Sequence, residues 1–175
     1  MATKPTKLHF KITGSDGSTG TAVAKLLWDK APQTCKAIAD ILPFESTTFH
    51  GRNSGDEALT CTPKEISHVP QDATENATTT HHMGGVFFGY EPAGFCYGGA
   101  DANGASEIAW VYGPAAQAQY WVSVNGPPHT ADRGPFKLQH ATLNHFAEFE
   151  EEQSFYDKSR ALPKTGQQKI EVWGA

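Results

Sequence analysis

Lys7-Leu8-His9-Phe10-Lys11-Ile12 alternates polar and apolar side chains. A period of two marks a strand with one face in a core and the other in water. Gly14-Ser15-Asp16-Gly17 follows as a tight-turn composition, and Thr21 to Leu27 alternates again, so the chain is expected to open with a β-hairpin. Ala31-Pro32-Gln33-Thr34-Cys35 then changes the period. Pro32 suits the first turn of a helix, and Cys35, Ile38, Ala39 and Leu42 form a stripe at helical spacing. The helix is expected over residues 32–41, ended by Pro43.

Beyond that helix the pattern returns to short strands. Glu45 to Arg52 reads as a strand, Asn53-Ser54-Gly55-Asp56 as a turn, and residues 57–61 as a second strand. Residues 62–82 are Thr-rich and aperiodic, the signature of a long surface loop. Gly84 to Gly89 and Glu107 to Tyr112 read as buried strands flanking a glycine-rich segment at 94–104. Residues 113–138 offer one strand, Tyr120 to Val124, before the loop Asn125-Gly126-Pro127-Pro128. Gln139 to Phe149 reads as a final core strand, and the acidic run at 148–152 opens a short C-terminal helix ending before Pro163. Many short strands with one early helix and no βαβ rhythm predict a mainly β fold, an antiparallel barrel or sandwich in a single domain over residues 1–175.

Composition bounds the function. The 175 residues carry 14 Lys and Arg against 19 Asp and Glu, a net charge of −5. A nucleic-acid or anionic-membrane protein needs a basic face, so neither partner is expected. With 17 Gly, 11 Pro and 19 aromatic residues (10 Phe, 5 Tyr and 4 Trp), the chain is turn-rich yet able to build a core. No apolar targeting or membrane-spanning stretch is present, and Cys35, Cys61 and Cys96 show no metal or disulfide spacing. A cytoplasmic location with reduced thiols is expected.

The densest polar group is Thr48-Phe49-His50-Gly51-Arg52-Asn53-Ser54-Gly55-Asp56-Glu57. Strand alternation places Thr48, His50 and Arg52 on one face, with the turn expected to fold Glu57 back towards them. Arg52 offers a fork for a carboxylate, and His50 a proton carrier near neutral pH. Glu107 shares its strand face with Ala109 and Val111, where an apolar border would raise its pKa and suit it to general acid–base work. His145 lies on the face of Ala141, Leu143 and Ala147 and gains weight only if it lands near Arg52 or Glu107. His81-His82 shows no partner at a zinc-like spacing, so no metal and no cofactor are expected.

These segments, in this order, resemble the cyclophilin-like fold and in particular a family of small cyclophilin-like proteins of unknown function. The features that carry the likeness are the Ala31 to Cys35 helix start, the Arg52 to Glu57 hairpin, Glu107 to Tyr112-Gly113, and Asn144-His145-Phe146. The same fold family includes the Pictet–Spengler cyclase cucumopine synthase. The resemblance implies an antiparallel barrel and a cofactor-independent enzyme that joins an amine to a 2-oxo acid. Glu107, His145, His50 and Glu57 would then carry protons, while Arg52, Tyr112, Asn144 and Phe88 hold a substrate bearing a carboxylate. Peptidyl-prolyl isomerisation is the alternative, although a glycine precedes Arg52 where cyclophilins run Phe-His-Arg directly and their peptide-groove motifs are missing. A non-catalytic small-ligand binder and a homodimer are further expectations.

Overall fold

In the computed structural model, residues 4–51, 54–67, 75–91, 105–116, 119–123, 136–140 and 142–175 are described. Strands β1 (Lys7–Thr13) and β2 (Thr19–Leu26) form the expected hairpin, in register from Lys7↔Lys25 to Thr13↔Thr19. Helix α1 (Pro32–Ala39) begins on its proline, as expected, and ends two residues earlier than expected. Strands β3 (Phe44–His50) and β4 (Glu57–Cys61) pair across the turn at 51–56. A two-residue strand, β5 (Ala77–Thr78), interrupts the long loop, and β6 (Gly85–Glu91) pairs with β7 (Ala105–Val111).

The C-terminal half departs from the sequence reading. Two strands, β8 (Gln119–Ser123) and β9 (Phe136–His140), pair with each other as a separate sheet, so residues 139–149 are not one strand. β10 (Leu143–Glu151) begins afresh because its partners are β5, β6 and β2. Helix α2 (Gln153–Thr165) runs through Pro163, which lies in its last turn, where a missing N–H costs few helical bonds. The chain then returns as β11 (Gln168–Gly174), a strand not anticipated above.

β11 is central to the architecture. It lies between β1 and β3 and gives the order β2-β1-β11-β3-β4-β7-β6-β10, which the β10–β2 pairing closes into an eight-stranded antiparallel barrel. Closure removes the open edges that would otherwise invite other strands. The interior is a single apolar cluster in which Phe10, Trp110, Phe149 and Phe155 touch ring to ring at 5.2–6.3 Å. α1 adds Cys35 and Ile38 to it, and α2 adds Phe155, Tyr156 and Leu162. The Trp110 indole N–H donates to the Ser159 hydroxyl at 3.0 Å, satisfying its one polar atom in the core. A filled interior leaves a ligand the mouths of the barrel or the outside of its wall. Among the described residues, no helix is long and apolar enough to cross a membrane.

Candidate functional site

The outer face of β4, β7, β6 and β10 carries a second apolar cluster of Leu59, Phe87, Ala109, Val111 and Leu143, with Phe49 and Ala116 packed against it. Register builds it: Leu59↔Ala109, Ala109↔Phe87 and Phe87↔His145 form one row across four strands. The neighbouring row begins with Glu57↔Val111. An apolar patch outside a barrel whose core is already full is an unusual place for ionisable groups, and several stand there.

Glu57 is the most perturbed. Its side chain is 3% exposed, Oε2 has no hydrogen-bond partner among the described residues, and burial pushes its carboxyl up to about 8 against a lowering hydrogen bond from Ser54. The neutral acid is therefore the dominant form at pH 7. His81 faces it, with Nδ1 3.9 Å from Glu57 Oε2. The other ring nitrogen, Nε2, lies 3.3 Å from the Thr78 carbonyl oxygen, which can only accept, so Nε2 carries the hydrogen and Nδ1 is turned to the acid. The imidazole rests on Phe87 at 4.6 Å between ring centres. The 113–116 loop is fastened to the β3–β4 turn by Asp56, whose N–H donates to the Ala115 oxygen at 3.4 Å while its carboxylate accepts the Ala115 N–H at 3.0 Å.

On the other side of Phe87, 4.9 Å from its ring, is His145. Its Nε2 lies 3.0 Å from Glu148 Oε1, and His82 Nε2 lies 2.7 Å from the same oxygen. Residues i and i+3 of a regular strand face opposite ways, but β10 has an irregularity between His145 and Ala147. That bulge turns both Phe146 and Ala147 into the core and brings His145 and Glu148 to one outer face. The expected face shared by His145 and Ala147 is thereby corrected. Burial raises the Glu148 carboxyl, and the two imidazoles more than offset this and hold it below its ordinary range. Asn76 steadies the bulge, its side-chain amide donating to the His145 oxygen at 2.7 Å.

The sequence-predicted set does not stay together. Thr48 and His50 belong to the core-facing side of β3, where His50 Nδ1 shares a 2.9 Å hydrogen bond with the Tyr112 hydroxyl. Glu57 is on the opposite side of the sheet, so the expected convergence of His50 with Glu57 is corrected: β4 turns alternate residues to alternate faces, and Leu59 fixes Glu57 outward. Tyr112 is buried, and burial lifts its phenol to about 12, leaving it no proton source at neutral pH. Phe88 is inside the core; its neighbour Phe87 is the ring on the outer face. Asn144 is buried with its amide 3.4 Å from the Thr34 hydroxyl of α1, away from the Glu57 face. Glu107 shares the outer face, four residues along β7 from the partner of Glu57, or about 13 Å. Arg52 and Cys96 lie outside the described residues. His81 was passed over because adjacent histidines in an extended chain point apart; here both rings reach Phe87 from a loop.

Solved structures share this architecture. McbB in complex with tryptophan aligns over 95% of this chain with a TM-score of 0.62 at 15% identity, and the match takes up 44% of McbB. The chain thus spans less than half the length of that protein. The hypothetical protein AF2241 from Archaeoglobus fulgidus, a solution structure, matches end to end at 18% identity with a TM-score of 0.51. The Mimivirus cyclophilin covers 99% of this chain, and 89% of its own length, at 11% identity with a TM-score of 0.52. Such likenesses establish the fold as cyclophilin-like. A comparison with curated proteins finds no match. Residues 15–120 match the model of a family described as a protein of unknown function, DUF3830, and the chain belongs to that family.

Proposed function

We propose that the protein is a small-molecule enzyme that joins an amine to a carbonyl compound by acid–base chemistry of the Pictet–Spengler type, with Glu57 as acid and His81 as base. The observation that carries this reading is the buried Glu57, whose Oε2 has no hydrogen-bond partner among the described residues and lies 3.9 Å from an imidazole nitrogen, on an apolar face outside the barrel core. A carboxylic acid held near pH 8 beside a nitrogen base is poised for proton transfer in both directions at neutral pH. McbB, solved with tryptophan, lends support, because tryptophan offers both an amine and an electron-rich ring.

The chemistry balances on these two groups. The amine adds to the carbonyl carbon; Glu57 protonates the resulting hydroxyl, and water leaves an iminium. The ring carbon attacks that centre, forming the new C–C bond, and His81 Nδ1 takes the displaced ring proton. Return of that proton to Glu57 restores both. Arg52 is assigned the substrate carboxylate, by the fit of its guanidinium fork. Both proton carriers are buried, so a local opening of the structure around them must admit the substrate.

Incubation with tryptophan or histidine and a panel of 2-oxo acids tests this by mass spectrometry. The expected product has the summed mass less one water and survives borohydride unchanged, as an open imine would not. Glu57→Gln should cut its formation by about 10²-fold or more, and Arg52→Lys should raise the concentration of 2-oxo acid needed. Turnover of proline peptides without such a product, or product formation untouched by Glu57→Gln, would overturn the reading.

A further inference from the structure

We propose that His82, His145 and Glu148 form a binding site for a divalent transition-metal ion, zinc being the best fit. This goes beyond the reading above and does not depend on it, since none of the three is given a role there. Their ligand atoms all lie within 4.8 Å of one another. Two imidazole nitrogens converge on one carboxylate oxygen, at 2.7 and 3.0 Å. Bonds of about 2.1 Å in a tetrahedral set place ligand atoms about 3.4 Å apart, so small outward movements admit the ion.

A second observation points the same way. His145 Nε2 is buried and, although 3.0 Å from Glu148 Oε1, is not aligned to hydrogen-bond with it or with any other described group. The two rings meet edge to face at 87° with centroids 5.0 Å apart, which leaves both Nε2 atoms within 3.0 Å of the same Glu148 oxygen. The bulge in β10 and the Asn76 clamp fix His145, while His82 comes from an exposed loop able to adjust.

Chemistry selects the ion. Two nitrogen ligands and one carboxylate suit zinc and its neighbours, whereas magnesium and calcium prefer oxygen alone. Three protein ligands leave a fourth position open, and the partial exposure of His82 and Glu148 turns it towards solvent. The expectation from the sequence was that no three ligands converge. It missed this set because loop, strand and bulge each contribute a piece.

Titration of the metal-stripped protein with zinc, followed by calorimetry and melting, tests the site, with cobalt as a spectroscopic probe of its ligands. One ion per chain, a raised melting temperature, and a tetrahedral cobalt spectrum lacking the charge-transfer band of a thiolate are expected. Magnesium should shift nothing. His82→Ala, at an exposed loop position, and Glu148→Gln should each weaken zinc by at least tenfold while the folded far-ultraviolet spectrum persists. Failure to bind zinc stoichiometrically, a thiolate band, or equal affinity in both variants would overturn the proposal.

Discussion

A carboxylate moved from water into an apolar wall loses its hydration, and among the described residues Glu57 is offered a Ser54 hydrogen bond in exchange. Keeping the proton is the cheaper solution, which is why its carboxyl sits near 8. The consequence for stability follows from linkage. Below the unfolded value of about 4.3 both states are protonated, and the contribution is whole. Between there and about 8 the unfolded chain releases the proton while the folded one keeps it, so stability falls as pH rises. The full loss is on the order of 5 kcal/mol, or about 1.4 kcal/mol per pH unit. Glu57→Gln cannot ionise and should lack this component. Urea unfolding of both proteins at pH 5 and pH 8 is expected to show the variant gaining on the natural protein by a few kcal/mol at the higher pH. Parallel pH profiles would mean that Glu57 is ionised in the folded state.

Elements decide what reaches Glu57. The turn between β3 and β4 depends on Gly55, whose φ is +65° and whose missing Cβ leaves space for the Ala115 oxygen. Any side chain there is strained by its backbone and collides with Ala115 of the 113–116 loop. Gly55→Ala should therefore cost more than about 2 kcal/mol of stability; an unchanged melting temperature would show that the loop is not packed as described. This turn was legible in Ser54-Gly55-Asp56, as were the first hairpin, α1 and the bounds of β4, because each rests on local periodicity or turn chemistry. The site was legible only in part. Glu57 was named, but with His50, since alternation shows which residues share a face without showing which face meets the core. His145 was named and Glu148 missed, since a bulge leaves no mark on periodicity. His81 was missed because its place beside Glu57, 24 residues earlier in the chain, is set by the assembled sheet and not by local pattern.

At the scale of the whole molecule, the barrel's closure is what makes an acid of Glu57. β11, supplied by residues 168–174, joins β1 to β3, and β10 meets β2; the closed wall then holds Glu57 of β4 beside the apolar cluster it shares with β7 and β6. The perturbation therefore belongs to the assembled fold, and unfolding must abolish it. Carbon-13 resonances of labelled glutamate carboxyls, with Glu57 assigned by its absence from Glu57→Gln, report this directly when titrated in buffer and again in denaturant. The account predicts a Glu57 midpoint near 8 in the folded protein, returning to about 4.3 in the unfolded chain. A folded midpoint in the ordinary carboxylate range would contradict it, and would remove the acid from the proposed chemistry.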